Sequence, residues 1–187
     1  VPMRIRSVKG RPVTELLAGR PGQEPEGPSN AWVFRREYRS TYRAVVVASE
    51  RVVEGKWSQA GQAPARISVE RDLAGELGVA VGDEIVWDVQ GVPVATQVGS
   101  LREVDWARFE PNFFVVFAPG TLEDAPQSFV TLTRVPDPDA RGRFQRRLAE
   151  RFGNVSTLDL SLLQEALERL VERVVLAIRF MALFSLG

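Results

Sequence analysis

The chain has 187 residues, enough to bury a core in one domain or two small ones, and its 44% hydrophobic and 26% charged residues are typical of globular proteins. Its 24 basic and 24 acidic side chains balance, so charge gives no reason to expect a nucleic-acid partner. The sequence contains no Cys and no His, which excludes disulfides, Cys–His and Ser–His–Asp arrangements and the commonest zinc sites.

The first part of the chain predicts one strand followed by irregular segments. Residues 3–8 alternate apolar and charged side chains, the pattern of a half-buried strand. Residues 19–30 are rich in Gly, Pro and Glu and predict a loop, and residues 31–43 mix aromatic side chains with arginines. Because the sequence opens in a strand without a signal peptide and closes in an apolar run, we expect a portion of a longer protein.

The middle of the chain predicts a small, strand-rich, barrel-like unit over residues 45–117. Residues 68–77 favour a short helix, with Ser68 as its N-cap and Gly78 at its end. Strands are predicted at residues 84–89, 92–104 and, as a buried apolar run, 113–117.

The last third predicts a strand–helix–strand unit of the α+β kind. Its strands are predicted at residues 129–135 and 155–158, on either side of a helix at residues 140–152 that begins near Pro138. One face of that helix carries Phe144, Leu148 and Phe152.

A second helix is predicted from residue 161 to the end. Its first half is amphipathic, whereas residues 174–187 carry Arg179 as their single charge. This apolar end is either a helix buried in a soluble core or the first turns of a membrane span. We favour the span, because a helix that is apolar on all sides needs burial on all sides.

Together these elements predict an α+β chain in four parts. They are an N-terminal strand, loop and arginine-rich segment at residues 1–44, a small β-rich lobe at 45–127, an α+β lobe at 128–160, and a helix leading into a membrane span at 161–187.

Four segments resemble FtsX/MacB-like ABC transporter permeases, and among them the branch called YbbP. The most specific segment is LREVDWARFEPNFFVVFAPGTLEDAP at residues 101–126. The others are ISVERDLAGELGVAVGDEIVWDVQG at 67–91, WVFRREYRSTYR at 32–43 and VLAIRFMALFSLG at 175–187.

The resemblance implies an extracytoplasmic domain of a bacterial inner-membrane permease, joined to the membrane by flanking helices. It implies a ferredoxin-like α+β lobe beside a small β-rich lobe, with a further strand–helix–strand expected ahead of Val1. It also implies a separate cytoplasmic ATPase subunit, and lipids, lipoproteins or other hydrophobic molecules as cargo.

Candidate catalytic side chains are few. Glu103, Asp105 and Glu110 form the nearest carboxylate cluster and could serve glycoside hydrolysis, but a solvated strand end and turn is the favoured interpretation. There is no phosphate-binding Gly-rich loop. We therefore expect no catalytic residue, cofactor or metal, and no enzyme activity.

The candidate surface for cargo or a partner combines aromatic and basic residues. Trp106 and Phe109 lie in the turn before a predicted strand, where we expect partial exposure. Arg35, Arg36 and Arg39 form a basic cluster that could meet lipid phosphates or an acidic partner, although a solvated face is favoured.

Three functions therefore compete. The first is a permease domain that couples ATP-driven motion to export or extraction of hydrophobic cargo. The second is a binding module that docks and regulates an extracytoplasmic hydrolase without transport. The third is a soluble carbohydrate-active enzyme that uses the carboxylate cluster.

Overall fold

The computed structural model describes residues 1–18, 31–57, 60–61, 63–108 and 110–160, together with 171, 173–175, 178 and 181. The chain divides into two compact units, Val1–Leu132 and Thr133–Gly187. The predicted α+β class is confirmed, with a core that is mostly sheet and a few helices. The predicted ferredoxin-like and barrel-like lobes are not confirmed.

Nine strands of the described residues form one sheet in the first unit. They are β1 (Pro2–Val8), β2 (Arg11–Pro12), β3 (Tyr38–Arg39), β4 (Thr41–Tyr42), β5 (Glu50–Gly55), β6 (Ala65–Glu70), β7 (Glu84–Val89), β8 (Val92–Val104) and β9 (Val115–Phe117). The order is β2-β1-β7-β8-β6-β9-β4, while β3 pairs with β1 and β5 pairs with β8. Strands from residues 1–44 and 45–127 thus share a single sheet.

Four helices accompany the sheet within the described ranges. They are α1 (Val13–Ala18), α2 (Ala31–Arg35), α3 (Arg71–Leu77) and α4 (Pro138–Arg151). The first three belong to the first unit and α4 belongs to the second.

The long strand β8 organises the first unit. Its first half pairs antiparallel with β7 and its second half pairs antiparallel with β5, while β6 runs parallel along it. Because a strand has two edges, β7 and β5 follow one another along the same edge. The second half of β8 is therefore covered on both edges, which places Arg102 in the interior with no exposed surface.

Period-two alternation builds the core, and the predicted strands 84–89 and 92–104 are confirmed. Ile85, Trp87 and Val89 point inward from β7, and Trp87 is fully buried. The indole Nε1 of Trp87 donates to Thr96 Oγ1 at 3.1 Å, and that hydroxyl donates to the carbonyl of Ile85 at 2.7 Å. The indole N–H of Trp87, the largest side chain of the core, therefore has a hydrogen-bond acceptor although it is buried.

Helix α3 begins three residues later than predicted, and Glu70 replaces Ser68 as its N-cap. The Glu70 carboxylate accepts hydrogen bonds from the backbone N–H groups of Asp72 at 3.0 Å and Leu73 at 2.9 Å. Ser68 lies in β6 instead, where its hydroxyl accepts a hydrogen bond from Ser100. Pairing with β8 extends the strand through Glu70, so tertiary contacts override the local cap signal.

The predicted strand 113–117 is shorter in the structure. Only Val115–Phe117 pairs as β9, next to β6. The two preceding residues lie outside β9. The Phe113 carbonyl accepts from Arg102 Nη2, whereas the Phe114 carbonyl still accepts from the N–H of Glu70, the last residue of β6, at 2.8 Å.

At the end of β5, Gly55 makes a close backbone contact with β8. Its φ is +76°, and a Cβ at this position would lie 2.3 Å from the carbonyl oxygen of Gly99. Glycine is therefore required by both the left-handed backbone and the space available.

In the second unit, the predicted helix is confirmed but its flanking strands are wrong. Asp137 caps α4 with hydrogen bonds from Asp139 N and Ala140 N, and Pro138 occupies the first turn. Residues 129–135 and 155–158 have no regular secondary structure. An apolar run becomes a strand only where a neighbouring strand can share its hydrogen bonds.

None of the residues of α4, all of which the structure describes, is buried. Phe144 and Phe152 on its predicted apolar face are 42% and 46% exposed.

Most of the predicted C-terminal helix lies outside the described residues, including Arg179. The described positions there, such as Val174 and Ile178, are helical and exposed. Within the part of the chain that the structure describes, no helix combines the length and apolarity that a membrane crossing requires.

Candidate interaction surface

Arg36 lies at the centre of a group of aromatic rings. Its guanidinium carbon is 4.9 Å from the ring centre of Trp32, 4.8 Å from that of Tyr38 and 4.5 Å from that of Phe114. These distances are those of cation–π contacts, each worth about 0.5–1 kcal/mol at an exposed site.

Local structure explains how these side chains meet. Trp32 lies in α2, and the Arg36 N–H donates to the Trp32 carbonyl at 3.0 Å, which extends the last helical turn. Tyr38 begins β3, and its buried hydroxyl donates to the Val33 carbonyl at 2.7 Å. Burial raises the pKa of Tyr38 well above its ordinary value, against a smaller opposing effect of Arg36, so the hydroxyl stays protonated.

Trp106 joins the group through Phe114. The two ring centres are 4.7 Å apart. Trp32 and Trp106 remain 49% and 47% exposed, whereas Phe114 is half-buried between them. We call Trp32, Arg36, Phe114 and Trp106 the aromatic–arginine cluster, and it is a surface that combines a cation with two exposed indoles.

The predicted surface residues separate into distinct places. Arg36 and Trp106 come together, and Arg35 lies exposed at the end of α2, one helical turn from Trp32. Arg39 follows the buried Tyr38 in β3, so alternation directs it to the opposite face. Phe109 lies outside the described residues.

Two members of the cluster were not predicted. Trp32 could have been found from its spacing of four residues to Arg36 on a helix. Phe114 was placed in the core because residues 113–117 were expected to form a buried strand. Its position depends on long-range hydrogen bonds that leave no local signal.

A buried ion-pair network contacts the backbone next to Phe114, and it consists of Arg102, Glu50 and Arg43. The side chains of Arg102 and Glu50 are fully buried, with Arg102 Nε 3.2 Å from Glu50 Oε1. Arg43 Nη2 contacts the other carboxylate oxygen of Glu50, and the Arg43 side chain is 17% exposed. One carboxylate thus serves two guanidinium groups.

The network also fixes the chain that carries Phe114. Arg102 Nη1 donates to the Ser68 carbonyl at 2.6 Å, and Nη2 donates to the Phe113 carbonyl. Burial lowers the pKa of Arg102, and the Glu50 carboxylate opposes that effect. Since Phe113 immediately precedes Phe114, these hydrogen bonds position the central ring of the cluster.

Two members of the predicted carboxylate cluster, Glu103 and Asp105, line a shallow cavity of about 280 Å³ formed by residues 48–51 and 103–105, whereas Glu110 is exposed and does not line it. Hydrogen bonds from Arg51 and from Arg71, at 2.7 Å, lower the pKa of Glu103. A general acid needs a raised pKa, so the contacts of Glu103 favour an ion-pair role. Asp105 accepts hydrogen bonds from Ala107 N and Arg108 Nε, both at 3.2 Å, which is a turn contact.

Among the described residues, no group of three or more His, Cys, Asp or Glu side chains is arranged to hold a metal ion.

Comparisons with known proteins give one informative similarity. The chain is 30% identical over 127 residues to YbbP, an uncharacterized ABC transporter permease of Escherichia coli (strain K12). The match spans 68% of this chain but 15% of the length of that permease. No family model matches, and no solved structure matches. The chain therefore contains a domain related to ABC transporter permeases.

Proposed function

We propose that the chain is an extracytoplasmic, FtsX/MacB-like domain of a permease in the bacterial inner membrane. In this proposal, a separate cytoplasmic ATPase subunit drives the permease, and the domain transmits that motion to hydrophobic, lipid-like or lipoprotein cargo. The similarity to an ABC transporter permease over 127 residues is the observation that carries the proposal.

The chemistry of the described residues supports a mechanical or binding role over a catalytic one. The whole sequence lacks His and Cys. Glu103 is held ionised by two arginines and Asp105 stabilises a turn, so neither is prepared to transfer a proton. Binding by complementary surfaces therefore accounts better for the residues present.

The aromatic–arginine cluster supports contact with an apolar or amphiphilic partner. Tryptophan is highly buried on average, yet Trp32 and Trp106 are both about half exposed. Tryptophan and arginine are also the residues that contribute most often to binding hot spots. A surface that keeps both residue types exposed is suited to a partner that covers the rings.

The test uses the full-length permease reconstituted in vesicles with its ATPase subunit. A Trp32→Ala/Trp106→Ala variant is compared with Trp57→Phe, which changes a tryptophan outside the cluster. We expect the cluster variant to lose transfer of a fluorescent lipid-like cargo to acceptor vesicles while its ATPase subunit stays bound, and Trp57→Phe to retain transfer.

The decisive comparison is a permease that lacks this domain. Unchanged cargo transfer and unchanged ATPase rate after its removal would refute the proposal. Retention of an extracytoplasmic hydrolase, with no cargo transfer by the intact complex, would instead indicate the docking function considered above.

A further inference from the structure

We infer that the aromatic–arginine cluster is a membrane-contact site that lies against the headgroup region of a leaflet containing anionic phospholipid. The inference deepens the proposed function, on which it rests for the presence of a membrane beside the domain. It assigns to this surface a lipid partner of defined chemistry, an anionic phosphate next to an apolar acyl region.

The first argument concerns the indole groups. The N–H of Trp57 donates to the Ala44 carbonyl and that of Trp87 donates to Thr96. In the part of the chain that the structure describes, neither Trp32 Nε1 nor Trp106 Nε1 has a protein acceptor. An exposed ring with an available N–H suits the lipid headgroup region, where the apolar ring is buried and the N–H finds an ester or phosphate oxygen.

The second argument concerns charge. Arg51, Arg71 and Arg108 all form ion pairs with carboxylates. Arg35 and Arg36, by contrast, form no ion pair among the described residues, and Arg36 contacts ring faces instead. The guanidinium of Arg36, beside the rings and without an ion pair to any described residue, is complementary to phosphate, which arginine binds with two parallel hydrogen bonds.

Two acidic side chains near these arginines, Glu37 and Glu76, balance the two positive charges in sum, but neither forms an ion pair with Arg36. Glu37 follows Arg36 and is exposed, which leaves one net positive charge over residues 35–37. Glu76 of α3 lies near enough to affect Tyr38 but forms no ion pair with Arg36. Two exposed indoles and the Arg36 guanidinium, which has no ion pair within the described ranges, are therefore suited to one partner, an anionic interface that provides both phosphate and apolar contacts.

The similarity to a membrane-transport permease favours a lipid leaflet over an acidic protein as that partner. A leaflet presents phosphate groups in its headgroup layer, directly above its acyl chains. It can therefore contact Arg36 and both indoles without a preformed pocket.

The experiment measures the fluorescence of the cluster in vesicles. The full 187-residue chain with Trp57→Phe leaves Trp32, Trp106 and the buried Trp87 as emitters. It is mixed with vesicles that carry brominated acyl chains, made of phosphatidylcholine alone or with added phosphatidylglycerol. The second unit exposes apolar side chains that can attach to lipid by themselves, so quenching of tryptophan, and not total binding, is the readout.

We expect quenching in the vesicles that contain phosphatidylglycerol and little in those without it. Arg36→Gln should raise about fivefold the concentration of phosphatidylglycerol-containing lipid that gives half-maximal quenching, since one arginine beside an anionic surface contributes about a factor of five in affinity. Arg39→Gln is the matched control, because Arg39 is exposed on the opposite face of β3, and it should change nothing. Circular dichroism reports whether each variant is folded.

Three results would overturn the inference. One is the absence of quenching in both kinds of vesicle, and another is an equal effect of Arg36→Gln and Arg39→Gln. The third is protection of the same tryptophans by an extracytoplasmic hydrolase without quenching by lipid, which would assign the surface to a protein. Cargo transfer by the reconstituted permease is measured separately, so the proposed function can stand when this inference fails.

Discussion

Replacing Glu50 with Gln should destabilise the first unit severely. Glu50 has a fully buried side chain that is shared by Arg102 at 3.2 Å and by Arg43. Glutamine has nearly the same shape but no charge, so the substitution removes the carboxylate that both guanidinium groups contact and leaves Arg102 with only the weaker effect of Glu70. Breaking a buried ion pair by removing one partner costs about 3–5 kcal/mol, a large part of the 5–15 kcal/mol that stabilises a typical domain.

Glu103→Gln is the matched control for this prediction. Glu103 also lies between two arginines, Arg51 and Arg71, but its side chain is 39% exposed. Because solvent screens the ion pairs of Glu103, Glu103→Gln should lower the free energy of unfolding by only a small fraction of the decrease expected for Glu50→Gln. The two variants make the same chemical change at the same kind of contact and differ in burial.

The assay is urea unfolding of the full chain followed by tryptophan fluorescence. All four tryptophans lie between Val1 and Leu132, so the signal reports the first unit. A free energy of unfolding for Glu50→Gln within about 1 kcal/mol of that for Glu103→Gln would refute the argument. It would mean that the buried charges are stabilised by something other than each other.

Further predictions concern the core, a turn and acid stability. Thr96→Val should cost about 1–3 kcal/mol in urea unfolding, because the buried indole N–H of Trp87 loses its acceptor, and Thr96→Ser should retain most of that stability. Gly55→Ala should lower the free energy of unfolding more than Gly10→Ala does. Both glycines have positive φ, but a Cβ at Gly55 would meet the backbone of β8, whereas a Cβ at Gly10 meets nothing within 4 Å. Equal losses of free energy would contradict the close backbone contact at Gly55. Two arginines hold the pKa of Glu103 in the folded state below its ordinary value of 4.5. The ionised Glu103 carboxylate therefore stabilises the fold fully above pH 4.5, and this stabilisation is lost as the pH falls through the folded-state pKa. The urea midpoint of unfolding should therefore fall less steeply between neutral and acid pH for Glu103→Gln than for the unsubstituted chain. The same slope for both proteins would contradict a stabilising role for the ionised Glu103.

Local signals in the sequence were sufficient where a turn residue and an alternating pattern agree. Gly91 separates two alternating segments, and both strands of the hairpin have their predicted bounds. Asp137 and Pro138 likewise mark the start of α4. These features depend on residues close in sequence, which is why they could be predicted.

Features that depend on distant partners could not be predicted. Residues 129–135 and 155–158 have strand-like composition, but in the structure they have no ladder to join. Glu70 became the cap of α3 because pairing with β8 lengthened β6. Arg39 is a different case, since recognition of the strand at Tyr38 would have placed it on the opposite face from Arg36.

The buried network explains why the candidate surface has a defined shape although half of each exposed indole is in solvent. Arg102 donates to the Phe113 carbonyl, and the Glu50 carboxylate balances its buried charge. The position of Phe114, and with it the rings that contact Arg36 and Trp106, therefore depends on a charge pair in the interior. Buried ion pairs contribute little net stability compared with apolar residues of the same size, so their value lies in the geometry that they fix. In this chain that geometry includes the backbone next to Phe114, the ring that contacts both Arg36 and Trp106.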